Sequence, residues 1–163
     1  MTNPLVFSDH PEFTPNVHPR DMFQHGIFQD VGGYWRPIYS SIVKANFVDQ
    51  WKEFDFLADL SEELMVGPVN KNANKYRTIA GTSLEYWESK NWITHHDPYG
   101  WVQWYCRFVA GRRLPKEDER QIARWQQLAG PNGRFYRRLK NIIASEKDSP
   151  RIRQTLLQWA ILV

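Results

Sequence analysis

The sequence predicts a single all-α domain spanning residues 1–163, compact, with a central buried aromatic helix and a basic C-terminal helical hairpin. Helix start and stop signals recur along the chain, whereas the strict alternation of half-buried strands is scarce. The stretch DPYGWVQWYCRFVAGRR, residues 97–113, concentrates five aromatic rings in one turn-and-helix unit. A chain of 163 residues with 42% apolar content is long enough for one core and too short for two comfortable ones.

Each element follows in order. In TPNVHPRDMFQHG, Pro19 suits a first helical position and Gly26 a stop, so a short helix over 19–25 with little burial is expected. Residues 1–26 as a whole read as an extended N-terminal arm. VGGYWRPIYSS, with two glycines and Pro37, reads as an irregular packed loop. SIVKANFVDQWKEFDFLADL reads as helix from Ile42, Phe47, Trp51 and Phe54 at spacings of five, four and three. Residues 65–81, rich in Gly, Pro and Asn, read as a long surface loop. GTSLEYWESKNW restarts a helix with Thr82 as cap and Glu85 three residues on. DPYGWVQWYCRFVAG predicts Asp97 as cap, Pro98 at the first position and Gly111 as terminator. Three more helices follow in PKEDERQIARWQQLA, GRFYRRLKNIIASEK and SPRIRQTLLQWAILV, the last opened by Ser149 and Pro150.

Composition excludes several classes. The single Cys106 rules out an intrachain disulfide framework and points to a reducing, intracellular setting, cytoplasmic or nuclear. No apolar run has the length of a membrane span, and MTNPLVFSDHPEF lacks the basic and apolar regions of a secretion signal. Charge is divided unevenly. Residues 1–106 hold 8 Lys and Arg against 13 Asp and Glu, a net −5, while residues 107–163 hold 13 against 5, a net +8. Such a basic third is the footprint of a polyanion binder, or else a solvated face balanced by the acidic remainder.

Wound at about 100° per residue, residues 100–111 are apolar over most of their circumference. Gly100, Gln103, Arg107 and Ala110 share the remaining stripe. The aromatic residues are therefore core. An inward guanidinium needs a partner, so Arg107 meets either a carboxylate such as Glu85, Glu88 or Asp97, or a ligand in a pocket with Gln103.

RQIARWQQLAGPNGRFYRRLKNII reads as two helices joined by a GPNG turn, with Phe135, Leu139, Ile142 and Ile143 inward and Arg134, Arg137, Arg138 and Lys140 outward. Backbone N–H groups beside Gly133 would suit a phosphate. Arg112, Arg113, Arg120, Arg124, Arg151 and Arg153 extend the same surface. The expected partner is nucleic acid, DNA or RNA, held by its phosphates.

Motifs for other chemistry are weak. His18, Asp21 and His25 have the spacing of metal ligands, but Pro19 biases His18 out of the helix, so no metal is assigned and no cofactor is implied. The helical content, the basic hairpin and the loop GGYWRPIYS together resemble, in outline, the helical DNA glycosylases of DNA repair. That resemblance implies a base sandwiched by Tyr34, Trp35 and Tyr39, a phosphate oriented by Arg36 or Arg107, and Asp97 or Glu85 as the catalytic acid. Read as caps, the same two carboxylates need no catalytic role. The set GGYWRPIYSS, SLEYWESKNW, DPYGWVQWYCRF, GRR, RQIARW, GPNGRF and IRQTLLQWA is similar to an uncharacterised family of small Trp- and Arg-rich proteins from microbes, fungi and large viruses. That similarity implies an intact compact domain and brings no activity with it. A protein-interaction module with docking acidic and basic halves is the third reading.

Overall fold

A computed structural model describes residues 4–29, 33–68, 70–78 and 84–163; the side chains of Lys71 and Glu85 are outside that set. Among the described residues the chain is mostly helical, with seven α-helices and one two-stranded antiparallel sheet. The all-α expectation is corrected by that sheet.

Helix α1, Pro19–Gln24, begins where proline allows, and the ring of His18 caps it by accepting from the Arg20 backbone N–H at 3.1 Å. Contrary to the expectation of little burial, Pro19, Met22 and Phe23 are buried. The supposed arm also carries Phe13, which is fully buried. Its ring meets Trp125 edge-on at 5.0 Å, Trp104 at 5.5 Å and Phe108 at 5.6 Å. The N-terminal segment thus supplies a central piece of the core.

The stretch expected as one helix after residue 41 is instead strand, turn and short 3-10 turns. Strand β1, Ile38–Ser40, pairs with β2, Ala45–Phe47, in the register Ile38 to Phe47. Two 3-10 turns follow at Gln50–Glu53 and Asp55–Leu57. The physical reason lies in the backbone: Lys44 and Asp49 sit at φ 61° and 58°, a left-handed conformation that no α-helix continues through.

Helix α2, Glu62–Val66, ends inside the stretch expected as surface loop and a 3-10 turn at Lys71–Ala73 interrupts it; the rest of its described residues form no regular element, though Met65 and Asn74 are buried. Helix α3 runs Leu84–Ser89, and its expected cap Thr82 lies outside the described residues.

Helix α4, Trp101–Val109, buries every residue from Trp101 to Cys106, and Phe108 as well. Its cap position is Gly100 at φ 101°, not Asp97. The Tyr105 hydroxyl donates to the Val17 carbonyl at 2.6 Å, tying α4 to the N-terminal segment. The Trp104 indole donates to Asp118 Oδ1 at 2.8 Å, and Asp118 Oδ2 accepts from the Leu114 N–H at 2.8 Å. One buried carboxylate therefore joins α4 to the first turn of α5, Pro115–Leu128.

Helix α6, Arg134–Ala144, packs on α5, and α7, Pro150–Leu157, packs on α6. The Ser149 hydroxyl caps α7 as expected, accepting from the Ile152 N–H at 3.3 Å. Only Leu139 of α6 is fully buried; Phe135 and Ile142 are half-buried and Ile143 is exposed, so the inward face is narrower than expected. No helix among the described residues is long and apolar enough to cross a membrane.

Candidate functional site

The residues expected to sandwich a base do not face one another across a cavity: Tyr34 and Trp35 are buried in the core and Tyr39 is exposed. Trp35 is fully buried and Tyr34 is 2% exposed. The Tyr34 hydroxyl donates to the Tyr99 carbonyl at 2.6 Å and accepts from the Gln103 N–H at 3.0 Å. Gln103 Oε1 in turn accepts from the Tyr99 N–H at 3.0 Å, while the amide nitrogen of this buried side chain has no hydrogen-bond partner among the described residues. Burial holds the Tyr34 phenol well above its ordinary range, so it stays a neutral donor. Arg36 donates to the Gly33 carbonyl at 3.1 Å, and Tyr39 stands apart on the exposed side of β1.

Arg107 and Asp97 are brought together, in a structural cluster. Arg107 donates to both oxygens of Glu53 at 3.0 and 2.8 Å, to the His96 carbonyl at 2.7 Å and to Asp97 at 3.1 Å. Burial disfavours its charge, but Glu53 and Asp97 outweigh that and hold its pKa above the ordinary value. Asp97 is 1% exposed and also receives both terminal nitrogens of Arg112. With two guanidiniums on its oxygens it is not placed to act as a proton donor or acceptor, nor as the cap assigned to it. Glu53 was not identifiable in advance, because it reaches Arg107 from 54 positions away through an irregular turn. The side chain of Glu85, the other acid candidate, lies outside the described residues.

Most arginines of the basic third fall into two groups. Arg113 is held by Asp9 at 2.6 Å and lies 3.7 Å over the Phe108 ring; Arg120 is held by Glu117 at 2.7 Å; Arg153 is held by Asp148 at 2.6 Å. Together with Arg112 these are neutralised structural cations. Gly133 is likewise structural: a Cβ there would stand 2.6 Å from the Ala129 nitrogen and the Leu128 carbonyl carbon. By contrast Arg134, Arg137, Arg138, Lys140 and Arg151 are exposed and form no ion pair among the described residues.

Arg124 belongs to neither group. It donates to the Trp92 carbonyl at 3.1 Å and to Gln121 Oε1 at 2.9 Å. Its guanidinium lies 5.6 Å from the Trp92 ring centre and 5.4 Å from that of Trp159. Burial, followed by the nearby charge of Arg120, brings its pKa down to about 10, so it remains a cation at neutral pH. These groups line a cleft of about 590 Å³ between α3, the N-terminal end of α4, α5, α6 and the turn after α7. Of the expected pocket residues only Tyr34 reaches its wall. Its described lining contains two arginines, Arg124 and Arg134, and no carboxylate. The sequence signal for it is weak, because Trp92 and Trp159 lie outside regular helix and Arg124 sits in an arginine-rich run that reads as surface.

Among the described residues, no group of three or more His, Cys, Asp or Glu is arranged to hold a metal ion. His18 is used as the α1 cap. Compared with known proteins, the chain matches no family model, no curated protein and no solved structure.

Proposed function

We propose that this protein binds nucleic acid through phosphate contacts made by the exposed face of α6 and the start of α7. The observation that supports this is the charge of α6 itself. Its eleven residues carry Arg134, Arg137, Arg138 and Lys140 and not one carboxylate. All four cations face solvent, whereas Arg112, Arg113, Arg120 and Arg153 are tied to acidic side chains.

Such a helix repels itself. Arg134 faces Arg137 and Arg138 at the three- and four-residue spacings where like charges destabilise by about 0.2–0.5 kcal/mol per pair. Arg134 also sits at the positive end of the helix dipole, which favours anions. A polyanion laid along this face relieves both terms.

The experiment is a binding titration of fluorescein-labelled single- and double-stranded oligonucleotides, read by anisotropy over a salt series. Five engaged cations give a slope of log affinity against log salt of about −3.5 to −4.5. Absence of salt-dependent binding at 50 mM salt to DNA and RNA alike, roughly the low end of the range where phosphate contacts dominate, overturns the reading.

A further inference from the structure

We propose that the cleft between Trp92, Trp159 and Arg124 takes an unpaired nucleobase together with its adjoining phosphate, so that the preferred partner is a single strand. This rests on the phosphate-binding reading of α6 and adds to it a base-recognition site.

Three observations converge on that occupant. The first is the wall chemistry. Trp92 is 37% exposed, and its ring meets Tyr86 edge-on at 5.6 Å. Trp159 is backed at 4.9 Å by the buried Trp101 ring, which holds it in place. Aromatic faces with a guanidinium against them accept any planar base by stacking and cation–π attraction, without regard to sequence. A volume of about 590 Å³ is that of an ordinary small-ligand site, large enough for a nucleoside.

The second observation is polarity. The described lining offers cations and amides but no carboxylate. Gln158, 9% exposed on the same wall, has a buried amide nitrogen with no hydrogen-bond partner among the described residues. An unmet donor beside a cavity matches the carbonyl and ring-nitrogen acceptors on base edges.

The third observation is continuity. Arg134 lines the cleft and is also the first residue of the α6 face. Its guanidinium is 4.9 Å from the Phe135 ring, another wall of the cleft. A strand whose base enters between the aromatic walls has its phosphate at Arg134 and the following phosphates toward Arg137 and Arg138. A paired base inside a duplex does not reach such a site.

The test uses the intact protein with four probes: a twelve-residue oligothymidine, the same-length duplex, an abasic strand with the same phosphates, and thymidine monophosphate. The oligothymidine binds at least tenfold tighter than the abasic strand at equal salt, and tighter than the duplex. Trp92→Ala and Trp159→Phe are each checked for folding by circular dichroism. Trp92→Ala then lowers the preference for base-bearing over abasic strand by about 5- to 150-fold, the range for losing one stacked base. Saturable binding of the mononucleotide, weakened by Trp92→Ala, also supports the site and identifies free nucleotide as a source of the same chemistry. Equal affinity for abasic and base-bearing strands overturns the cleft proposal and leaves the phosphate reading standing. Failure of every strand to bind overturns the phosphate reading instead.

Discussion

Asp97 grips Arg112 through two parallel hydrogen bonds, Nη1 to Oδ1 at 2.9 Å and Nη2 to Oδ2 at 2.6 Å. The same carboxylate takes a nitrogen of Arg107 at 3.1 Å, and Arg107 extends to Glu53. One buried acid therefore ties the loop before α4 to the end of that helix and to the turn beyond it. This geometry separates the basic third into cations that hold the fold and cations left for a partner.

Removing Asp97 should be severely destabilising. Asp97→Ala leaves Arg112, 25% exposed, without the carboxylate that neutralises it, and leaves Arg107 with Glu53 alone as a carboxylate partner among the described residues. Breaking a buried pair from one side costs about 3–5 kcal/mol. Urea unfolding followed by tryptophan fluorescence measures it, and a loss below about 1 kcal/mol, the worth of a surface pair, contradicts the structural assignment.

The division of arginines gives a second test. Arg137→Gln and Arg138→Gln each reduce oligonucleotide affinity uniformly across sequences and bring the salt slope about one unit nearer zero. Arg113→Gln, which removes a cation already held by Asp9, leaves both quantities unchanged. Equal effects from all three would mean that pairing in the fold does not decide which cations meet the ligand.

Much of the C-terminal half was legible in the sequence because its signals are local. Pro115, the Ser149–Pro150 pair and the GPNG turn set boundaries within a few residues of where they act. The aromatic core helix was legible for the same reason, since its apolar residues cover most of one short helix. The stretch 38–57 was not. A helical spacing among Ile42, Phe47, Trp51 and Phe54 is cancelled by two left-handed backbone positions, at Lys44 and Asp49, which only the surrounding contacts select. The cleft is illegible because its walls come from widely separated segments, whereas Tyr34 and Gln103, expected in a pocket, bond within the core through the Tyr34 hydroxyl and Gln103 Oε1.

Gly133→Ala tests the tight α5–α6 connection. The backbone there has φ −70°, which any residue adopts, so the requirement for glycine is one of space. An added methyl carbon would meet main-chain atoms at 2.6 Å, and main chain yields less readily than a side-chain tip. Overpacking of this kind costs about 1–3 kcal/mol. A thermal melt of Gly133→Ala matching the wild type would show that the hairpin opens without cost. A lowered melting temperature is expected.

Acid should weaken the fold through its lowered histidines, and His18 is the clearest case. Its ring is held below the ordinary imidazole range, first by burial and then by the charge of Arg20, with Asp21 acting in the opposite direction. Phe56 packs edge-on at 5.0 Å and offers the cation no hydration. His25 is lowered likewise, by burial and by Lys75. The unfolded chain therefore binds protons that the folded chain refuses. Stability from these rings is complete above the unfolded value of about 6.5 and is lost as pH falls through the lower folded values. For His18 the loss has a visible origin, because protonation turns the nitrogen that accepts from the Arg20 N–H into a donor. His18→Asn keeps a capping acceptor that does not titrate. Comparing urea midpoints at pH 7.5 and 5.5, the variant loses less stability than the wild type and His25 accounts for part of what remains. An undiminished loss in the variant would assign the acid sensitivity elsewhere.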